Sequence, residues 1–395
     1  MRYLLSFIVL LFLIAALFRV DSFFYLLYLL FGVFFLSRVW IGRVFQGLRF
    51  RRSYTSRAFL GERLDVTLYI KNDTFLPLPW LRAHESVPIQ LRSPNFVRLV
   101  TSLLPYEEKT LRYELDCRRR GYYPLGPLLV SAGDLFGVRQ QEQRFYSQDA
   151  ITVYPRIVPL TKLDLPAQTP FGDIPSSQRL FEDPTRMIGV RDYQAGDSMR
   201  YIHWKATAAM GRLQVKRFEP AISIEAQIFL NLDRRDYTQN RAAIASELAI
   251  VVAASVANYL AQKRQTVGLS CNGLDPLRPD AGPLILPPRK GRDQLMSILD
   301  ILARVQLQDR DQPRFSETLR RASLQLTWGG VAVVITPHAD EELFDSMVLM
   351  KRAGFHVVLV LMDPRSPFVT TKQHAQQIGV RAYQIWTEAD LDVWR

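Results

Sequence analysis

The sequence has few cysteines and lacks the short motifs that mark common enzyme classes. Its 395 residues include only two cysteines, Cys117 and Cys271. They stand far apart, without a CxxC pair or a histidine at metal-binding spacing, which indicates buried free thiols in a reducing compartment. The chain also has no GxxxxGK[ST] loop, no GxGxxG after a strand, no HExxH and no GxSxG. It therefore carries no recognisable phosphate-loop, dinucleotide, zinc-protease or serine-hydrolase motif.

Charge is nearly absent from the first forty residues. Residues 4–18 and 22–37 are uncharged, and Arg19 and Asp21 lie between them. Each run is slightly shorter than the roughly 20 residues of a typical spanning helix, but flanking residues can serve as interfacial ends. A signal peptide followed by a buried helix is disfavoured, because no small-residue cleavage site follows the first run. The pattern predicts a transmembrane helical hairpin over residues 1–40.

The residues after the second run are rich in arginine and contain no acidic residue up to position 57: Arg38, Arg43, Arg49, Arg51, Arg52 and Arg57. Such flanks stay on the cytoplasmic side, so we expect a multi-pass protein of the cell membrane with cytoplasmic soluble domains. Residues 41–57 form the predicted basic juxtamembrane segment. These arginines equal half of the formal net charge of +12. No nucleic-acid recognition motif accompanies that charge, so a nucleic-acid partner is not predicted.

Beyond the juxtamembrane segment, two parts of the chain follow different patterns. Residues 58–159 contain short alternating segments separated by turns, which predicts an antiparallel, immunoglobulin-like β-sandwich. Residues 160–184 are rich in proline and glycine and are typical of a linker. In residues 185–395, apolar strand-like runs alternate with helical patterns. This alternation predicts an α/β domain with a mostly parallel sheet.

Residues 189–211 concentrate polar and aromatic side chains at the start of the α/β part. Gly196 permits a tight turn, and Asp197 is expected to cap a helix that runs to Met210, with Gly211 at its end. We expect Asp197 to pair with Arg200. The helical spacing predicts an inward-facing strip of four side chains: Met199, Ile202, Ala206 and Met210.

This stretch has two functional interpretations. His203 could act as a general base oriented by Asp197, with Lys205 nearby, in a hydrolase of cell-envelope material. Alternatively, Trp204 and the arginines could form a partner-binding surface, since these residue types dominate interface hot spots. His203 lies six residues after Asp197, nearly two helical turns away, and no nucleophilic serine or cysteine accompanies it. The structural or docking interpretation is therefore preferred.

The same stretch resembles the signature of the prokaryotic family called domain of unknown function 58. The matching residues are Arg191, Tyr193, Gly196, Asp197, Arg200, His203, Trp204 and Lys205. An earlier segment, residues 119–127 followed by residues 134–137, is also similar to that family. The resemblance implies a membrane hairpin, a β domain, the signature and a domain similar to von Willebrand factor type A.

Type A domains commonly bind magnesium through an Asp-x-Ser-x-Ser loop after the first strand. At the corresponding place this chain has Asp233, Arg235 and Tyr237. Hard cations need oxygen ligands, whereas a guanidinium repels them. We therefore expect a degenerate loop without metal, in which Asp233 pairs with an arginine, and we expect no cofactor. A metal-dependent, ligand-binding type A domain remains the alternative.

The resemblance also implies a partner. Relatives are associated with AAA+ ATPases of the MoxR type, in systems that mature or assemble other proteins. The chain is therefore expected to be a non-enzymatic, membrane-anchored adaptor that contacts lipid through its hairpin. The sequence makes no prediction about its oligomeric state.

Overall fold

The computed structural model describes residues 10, 12–13, 21–92, 98–134, 140–161, 182–194, 196–220, 225–280, 282–309, 314–324, 329–362 and 368–394. Nearly all of the first predicted transmembrane run lies outside the described residues. So do residues 162–181 of the predicted linker and residues 135–137 of the segment that precedes the signature.

The N-terminal part begins with one long helix, α1 (Asp21–Gly47), which extends ten residues past the end of the second uncharged run at residue 37. Its first half exposes large apolar side chains: Tyr25, Leu26, Tyr28, Leu29, Phe31, Phe35 and Leu36. From Ser37 onward the helix changes character, because Ile41, Val44 and Phe45 are buried in the core of the β domain. The helix from Phe24 to Gly47 is long and apolar enough to cross a membrane.

Strand β1 (Leu48–Tyr54) follows α1 directly, so the predicted juxtamembrane segment is folded structure. A Cβ added at Gly47 would overlap the side chain of Thr74, which explains why glycine occupies this junction. The backbone amide of Asp73 donates to the Gly47 carbonyl at 2.9 Å. The β domain therefore starts ten residues earlier than the predicted boundary at residue 58.

The β domain contains two four-stranded antiparallel sheets, ordered β1-β3-β7-β5 and β10-β9-β4-β6, and a small sheet ordered β2-β11-β8. Apolar residues alternate along β3 and face a core cluster that also receives side chains from β4 and β9. Both large sheets thus supply one core, as predicted for antiparallel strands packed in layers. The remaining strands are β2 (Arg57–Phe59), β3 (Arg63–Asn72), β4 (Leu78–Glu85), β5 (Leu91–Arg92), β6 (Arg98–Leu103), β7 (Glu108–Cys117), β8 (Gly121–Pro124), β9 (Leu128–Gly133), β10 (Gln140–Phe145) and β11 (Ala150–Tyr154).

The C-terminal part contains a hairpin and a six-stranded sheet. The hairpin pairs β12 (Glu182–Asp192) with β13 (Gln214–Pro220), and short helix α2 (Trp204–Met210) lies between them in sequence. The sheet order is β16-β15-β14-β17-β18-β19, and only the edge strand β16 is antiparallel. These strands are β14 (Glu225–Leu230), β15 (Thr266–Cys271), β16 (Leu284–Arg289), β17 (Val331–Thr336), β18 (His356–Leu361) and β19 (Arg381–Gln384).

The helices of the α/β part are α3 (Ala242–Gln262), α4 (Arg292–Arg304), α5 (Phe315–Ser323), α6 (Glu341–Arg352) and α7 (Phe368–Gln377). Helix α3 is also long and apolar enough to cross a membrane, but most of it is buried. Its alanines and valines pack against β14, β15 and β17. It is therefore the core helix of this domain.

Three features differ from the sequence prediction. Pro287 and Pro288, a pair typical of a loop, lie in strand β16, and proline is tolerated there because β16 is an edge strand. Helices α5 and α7 were not predicted. The terminal helix is a 3-10 helix, Glu388–Trp394. Both predicted free thiols, Cys117 and Cys271, are present and buried.

The chain divides into two compact units. The first comprises Met1–Arg156 with Leu299–Val305, and the second comprises Ile157–Ile298 with Gln306–Arg395.

Candidate functional site

The signature residues lie on a small module formed by β12, β13 and the segment that connects them, here called the signature module. Strands β12 and β13 pair antiparallel, and Ile202 adds an isolated bridge to Val215. Ile202 and Val215 are both buried. The segment that connects β12 and β13 thus folds back on the hairpin, and Ile202 and Val215 form a small apolar centre between them.

Asp197 holds the turn at the start of this connection. Its carboxylate accepts hydrogen bonds from both terminal nitrogens of Arg191, at 2.7 and 2.8 Å, and from the backbone amide of Gln194 at 2.9 Å. Gly196 has φ +107°, a left-handed conformation that favours glycine. The predicted pairing of Asp197 with Arg200 is therefore corrected: the partner is Arg191, across the turn.

His203 caps helix α2. Its Nδ1 atom accepts a hydrogen bond from the backbone amide of Ala206 at 3.0 Å. The predicted helix start at Asp197 is corrected, because a 3-10 turn (Met199–Tyr201) and the Ile202 bridge precede α2. The helix ends as predicted at Gly211, whose φ is +69°.

The predicted inward-facing strip is also corrected. Of its four members only Ile202 is buried, whereas Met199 and Met210 are exposed. Trp204 has 66% of its surface exposed. Large apolar side chains exposed on the signature module are Met187, Met199, Tyr201, Trp204, Met210 and Leu213.

The other signature residues occupy different positions. Arg200 and Lys205 are exposed, and Tyr193 is half-buried, with its backbone amide bonded to the Leu213 carbonyl at 2.9 Å. At the base of the hairpin, Asp192 pairs with Arg212 at 3.2 Å and accepts a hydrogen bond from the Gln214 side chain. The sequence analysis did not identify these last three residues. Asp197 and His203 each have separate, local structural partners.

A second candidate site lies in the α/β domain at the carboxyl ends of β14 and β17. The chain moves from β14 to β15 on one side and later returns to β17 on the other, which makes this point a topological switch. Ligands of open α/β sheets bind in the crevice at such points. Here the crevice is a cavity of about 340 Å³, the switch-point cavity, lined by Asn231, Asp233, Arg235, Asp236, Arg314, Phe315, Ser316, His338, Asp340 and Leu343.

Asn231 organises the floor of the switch-point cavity. Its Nδ2 donates to Asp236 at 2.7 Å and to the Thr336 hydroxyl at 3.0 Å. Its Oδ1 accepts from the Asp233 amide at 3.0 Å and from the Asn272 side chain at 3.1 Å. The loops after β14, β15 and β17 are thereby tied together. No motif in the sequence marks Asn231, although its place after a buried parallel strand was a usable signal.

Asp233, Arg235 and Tyr237, which the sequence pattern aligned with an adhesion loop, make contacts within the protein. Arg235 Nη2 lies 2.6 Å from Asp233 Oδ2, and Arg235 Nε lies 3.0 Å from Oδ1, so the expected pairing with an arginine is present. The Tyr237 hydroxyl donates to the Asn231 carbonyl at 2.7 Å and is buried. Within the described ranges, no group of three or more His, Cys, Asp or Glu residues could hold a metal ion.

Two acidic groups of the cavity have distinct environments. Burial raises the pKa of the Asp236 carboxyl, and the charges of Asp233 and Asp340 raise it further, against the hydrogen bond from Asn231. Asp340 caps α6 by accepting from the Leu343 amide at 2.9 Å. On the facing loop, Arg314 pairs with Glu342 at 3.1 Å. Among the lining carboxylates, Asp233 pairs with Arg235, whereas Asp236 and Asp340 accept hydrogen bonds from amide groups.

Comparison with known proteins gives one family and one curated relative. Residues 189–369 match the family model described as "Protein of unknown function DUF58". The uncharacterized protein YeaD of Bacillus subtilis (strain 168) is 27% identical over 178 residues, which cover 44% of this chain and 44% of that protein. The match thus spans less than half the length of this relative.

Solved structures resemble about a quarter of the chain. The CARDB domain of a Pyrococcus furiosus protein, solved in complex with di-metal ions, has a TM-score of 0.20 and 15% identity, and covers 27% of this chain and 86% of that one. Escherichia coli alpha-2-macroglobulin in its native conformation has a TM-score of 0.24 and 19% identity, and covers 29% of this chain and 7% of that one. Scores this low support no functional inference.

Proposed function

We propose, from the match of residues 189–369 to the DUF58 family model, that the chain is a membrane-anchored adaptor without catalytic activity. It binds a partner protein through the signature module. The partner is an AAA+ ATPase of the MoxR type, and the complex serves the maturation or assembly of other proteins. The anchor is an N-terminal helical hairpin, and the immunoglobulin-like and type A-like domains lie in the cytoplasm.

One observation carries this proposal: within the signature module, polar side chains are bonded internally and large apolar side chains are exposed. Its charged and imidazole groups, Asp197, Arg191 and His203, are bonded to the module itself. Its large apolar side chains, led by Met199 and Trp204, are exposed. Exposed apolar side chains of this kind are typical of a protein-interaction site, and tryptophan and arginine, present here as exposed Trp204 and Arg200, are common hot-spot residues.

The anchor is supported by α1, whose N-terminal half exposes aromatic and leucine side chains. In water these side chains would form a large apolar surface, whereas lipid would cover them. The arginines that follow favour a cytoplasmic location for the soluble domains. A topology reporter fused after residue 395 tests this orientation, and a periplasmic or external signal would contradict it.

The interaction is tested by measuring the affinity of the full-length protein for a MoxR-type ATPase from the same organism. Trp204→Ala is expected to weaken binding about thirtyfold or more, as truncation of a hot-spot residue does. Arg200→Ala is expected to weaken it by a smaller factor. Because Trp204 is exposed, its replacement should leave thermal stability nearly unchanged.

Trp386→Ala is the matched control, since Trp386 is also exposed, at 49%, but lies outside the signature module. It should leave the affinity unchanged. If neither Trp204→Ala nor Arg200→Ala alters the affinity, the signature module is not the binding surface. If the purified protein hydrolyses a substrate and loses that activity in His203→Ala, the non-enzymatic assignment is wrong.

A further inference from the structure

The first unit contains a large groove where α1 meets the β domain, here called the juxtamembrane groove. Its volume is about 830 Å³. One side is formed by the last turns of α1, at Gly42, Phe45 and Gln46, and by β1. The other side is formed by β10 and the residues after it, including Gln143 and Phe145. None of these residues is part of the signature module.

Two arginines of β1, Arg49 and Arg51, line the groove and expose their side chains. In the described part of the chain neither forms an ion pair with a carboxylate, and Arg51 lies 4.9 Å from the centre of the Tyr69 ring. The remaining polar lining includes the amide side chains of Gln46, Gln141 and Gln143. The groove therefore offers two uncommitted cations among neutral hydrogen-bond donors.

The third arginine of the groove, Arg52, is fully committed. Its guanidinium contacts Glu85 at 2.9 Å and Asp149 at 2.6 Å, and its side chain is only 5% exposed. Partial burial opposes ionisation of Asp149, but hydrogen bonds from Arg52 and Ser147 outweigh this and lower the pKa of its carboxyl. Asp149, the acidic residue of the lining, is thus neutralised by its neighbour. The positive charge of Arg49 and Arg51 is left to attract an anion.

The groove also lies at the right depth for a lipid headgroup, if α1 is anchored as proposed above. The last exposed large apolar residue of α1 is Val39, and Gly42 lines the groove three residues later, about 5 Å along the helix. The polar headgroup layer on each side of a bilayer is roughly 5 to 8 Å thick. The groove thus begins within the headgroup layer.

We propose that the juxtamembrane groove binds the phosphate group of an anionic phospholipid. Arg49 and Arg51 hold the phosphate oxygens, a recognition for which the planar guanidinium is well suited. The glutamine side chains donate to the remaining oxygens of the headgroup. Phe50 and Phe145, which also line the groove, flank the glycerol of the headgroup. Free phosphate shares this chemistry, so the test separates the two sources.

The test uses the full-length protein in nanodiscs of phosphatidylcholine with and without phosphatidylglycerol. Native mass spectrometry counts the phosphatidylglycerol molecules that stay bound after release. The double variant Arg49→Gln/Arg51→Gln is expected to lower retention more than about tenfold, because it removes hydrogen bonds to a charged group. The control pair Arg38→Gln/Arg43→Gln removes the same charge from exposed residues of α1 outside the groove lining. It should change retention less than about twofold.

A steric variant tests the groove without changing its charge. A Cβ at Gly42 meets no atom within 4 Å, so Gly42→Leu projects a side chain into open space at the groove. It is expected to lower retention severalfold while the protein keeps its melting temperature. Gly32→Leu is the matched control, because Gly32 lies on the same helix and also meets no atom within 4 Å. It should retain the lipid as the wild type does.

The outcomes are distinct. Equal loss in both arginine pairs would mean diffuse attraction to a charged surface and would overturn the proposal, as would an absence of retained phosphatidylglycerol in the wild type. In a second arm, inorganic phosphate and glycerol phosphate are titrated in detergent. Binding of inorganic phosphate as tight as that of the lipid would reject the lipid as ligand. If the protein does not enter nanodiscs, the proposed membrane anchor is wrong. In that case, absence of phosphate binding in detergent would also show that the juxtamembrane groove does not bind phosphate.

Discussion

Helices α1 and α3 are similar in length and hydropathy but have opposite surroundings. Both are long and apolar enough to cross a membrane. Helix α3 is built from alanine, valine and serine, and most of its residues are buried against the parallel sheet. Helix α1 carries tyrosine, phenylalanine and leucine, and its first half leaves them exposed. Hydropathy alone therefore does not distinguish a core helix from a candidate anchor.

Side-chain size and continuity separate the two helices. Helix α3 has many small side chains. The strands and other elements around it can therefore approach closely, as a packed interior requires. The large side chains of α1 are spread around its circumference, and among the described residues those that join the β-domain core lie after Ser37. Ser37 therefore marks the point after which α1 packs into the β domain.

The largest expected effect comes from placing a charge in α3. Val252 is fully buried, and Val252→Lys buries an unpaired ammonium, which costs several kcal/mol and approaches the whole stability of a domain. We expect loss of the folded α/β domain. Thermal unfolding in detergent measures this, and a cooperative transition at the wild-type temperature would show that α3 is not a core helix.

The same incoming side chain in α1 should act on membrane retention and not on folding. Leu29 is 63% exposed, so Leu29→Lys should leave the melting temperature in detergent nearly unchanged. In a bilayer a central lysine disfavours insertion by about 3 kcal/mol. Flotation of vesicles in a density gradient measures the fraction of the protein that stays in the membrane. If retention is unaffected, α1 does not span the bilayer.

A smaller effect is expected at the point where α1 enters the β domain. The Ser37 hydroxyl donates to buried Asp134, and Ser37→Ala removes this bond at a cost of about 1 to 2 kcal/mol. The melting temperature of the β domain should fall, while membrane retention stays constant. Gly32→Ala on the exposed half is the control, and it should be neutral or slightly stabilising.

The smallest effect concerns Asp236, shortly before the buried helix. Because burial raises the pKa of its carboxyl, the folded state binds this proton more tightly than the unfolded state. Stability is therefore lost as pH rises from about 4, the unfolded value, through the folded pKa. Asp236→Asn should stabilise the protein at pH 7 by about 1 kcal/mol or less.

This gain should disappear as the pH approaches 4, where the wild-type carboxyl takes up its proton. Melting curves across that range measure the difference. The control is Asp345→Asn, at an exposed position on α6, which should give no such pH-dependent gain. An equal gain at both pH values would mean that the ionisation of Asp236 is not the cause.

Sequence patterns predicted the regular elements well where the periodicity was strong. Strands β14, β15, β17 and β18 are apolar runs that alternate with helices, as predicted for residues 185–395. Helices α5 and α7 were missed because they are short and mostly polar. Strand β16 was missed because its two prolines resemble a loop, although an edge position tolerates them.

The candidate site was predictable in composition but not in geometry. The sequence located the signature residues, but local spacing suggested one helix from Asp197 to Met210. A nonlocal pairing, Ile202 with Val215 on β13, interrupts that helix and gives the cap to His203. Helical spacing contains no information about such a partner. The loop after β14 was better predicted, because a guanidinium next to Asp233 has an obvious electrostatic partner.

The direct junction of α1 and β1 has a mechanical consequence. Gly47 is followed at once by Leu48, and the last turns of the helix are packed into the β domain, so no hinge separates rod from body. Bilayers of different thickness change the tilt of a spanning helix. If α1 spans the bilayer as proposed above, the β domain fixed to it tilts by the same angle, and membrane thickness then changes the direction in which the β domain points.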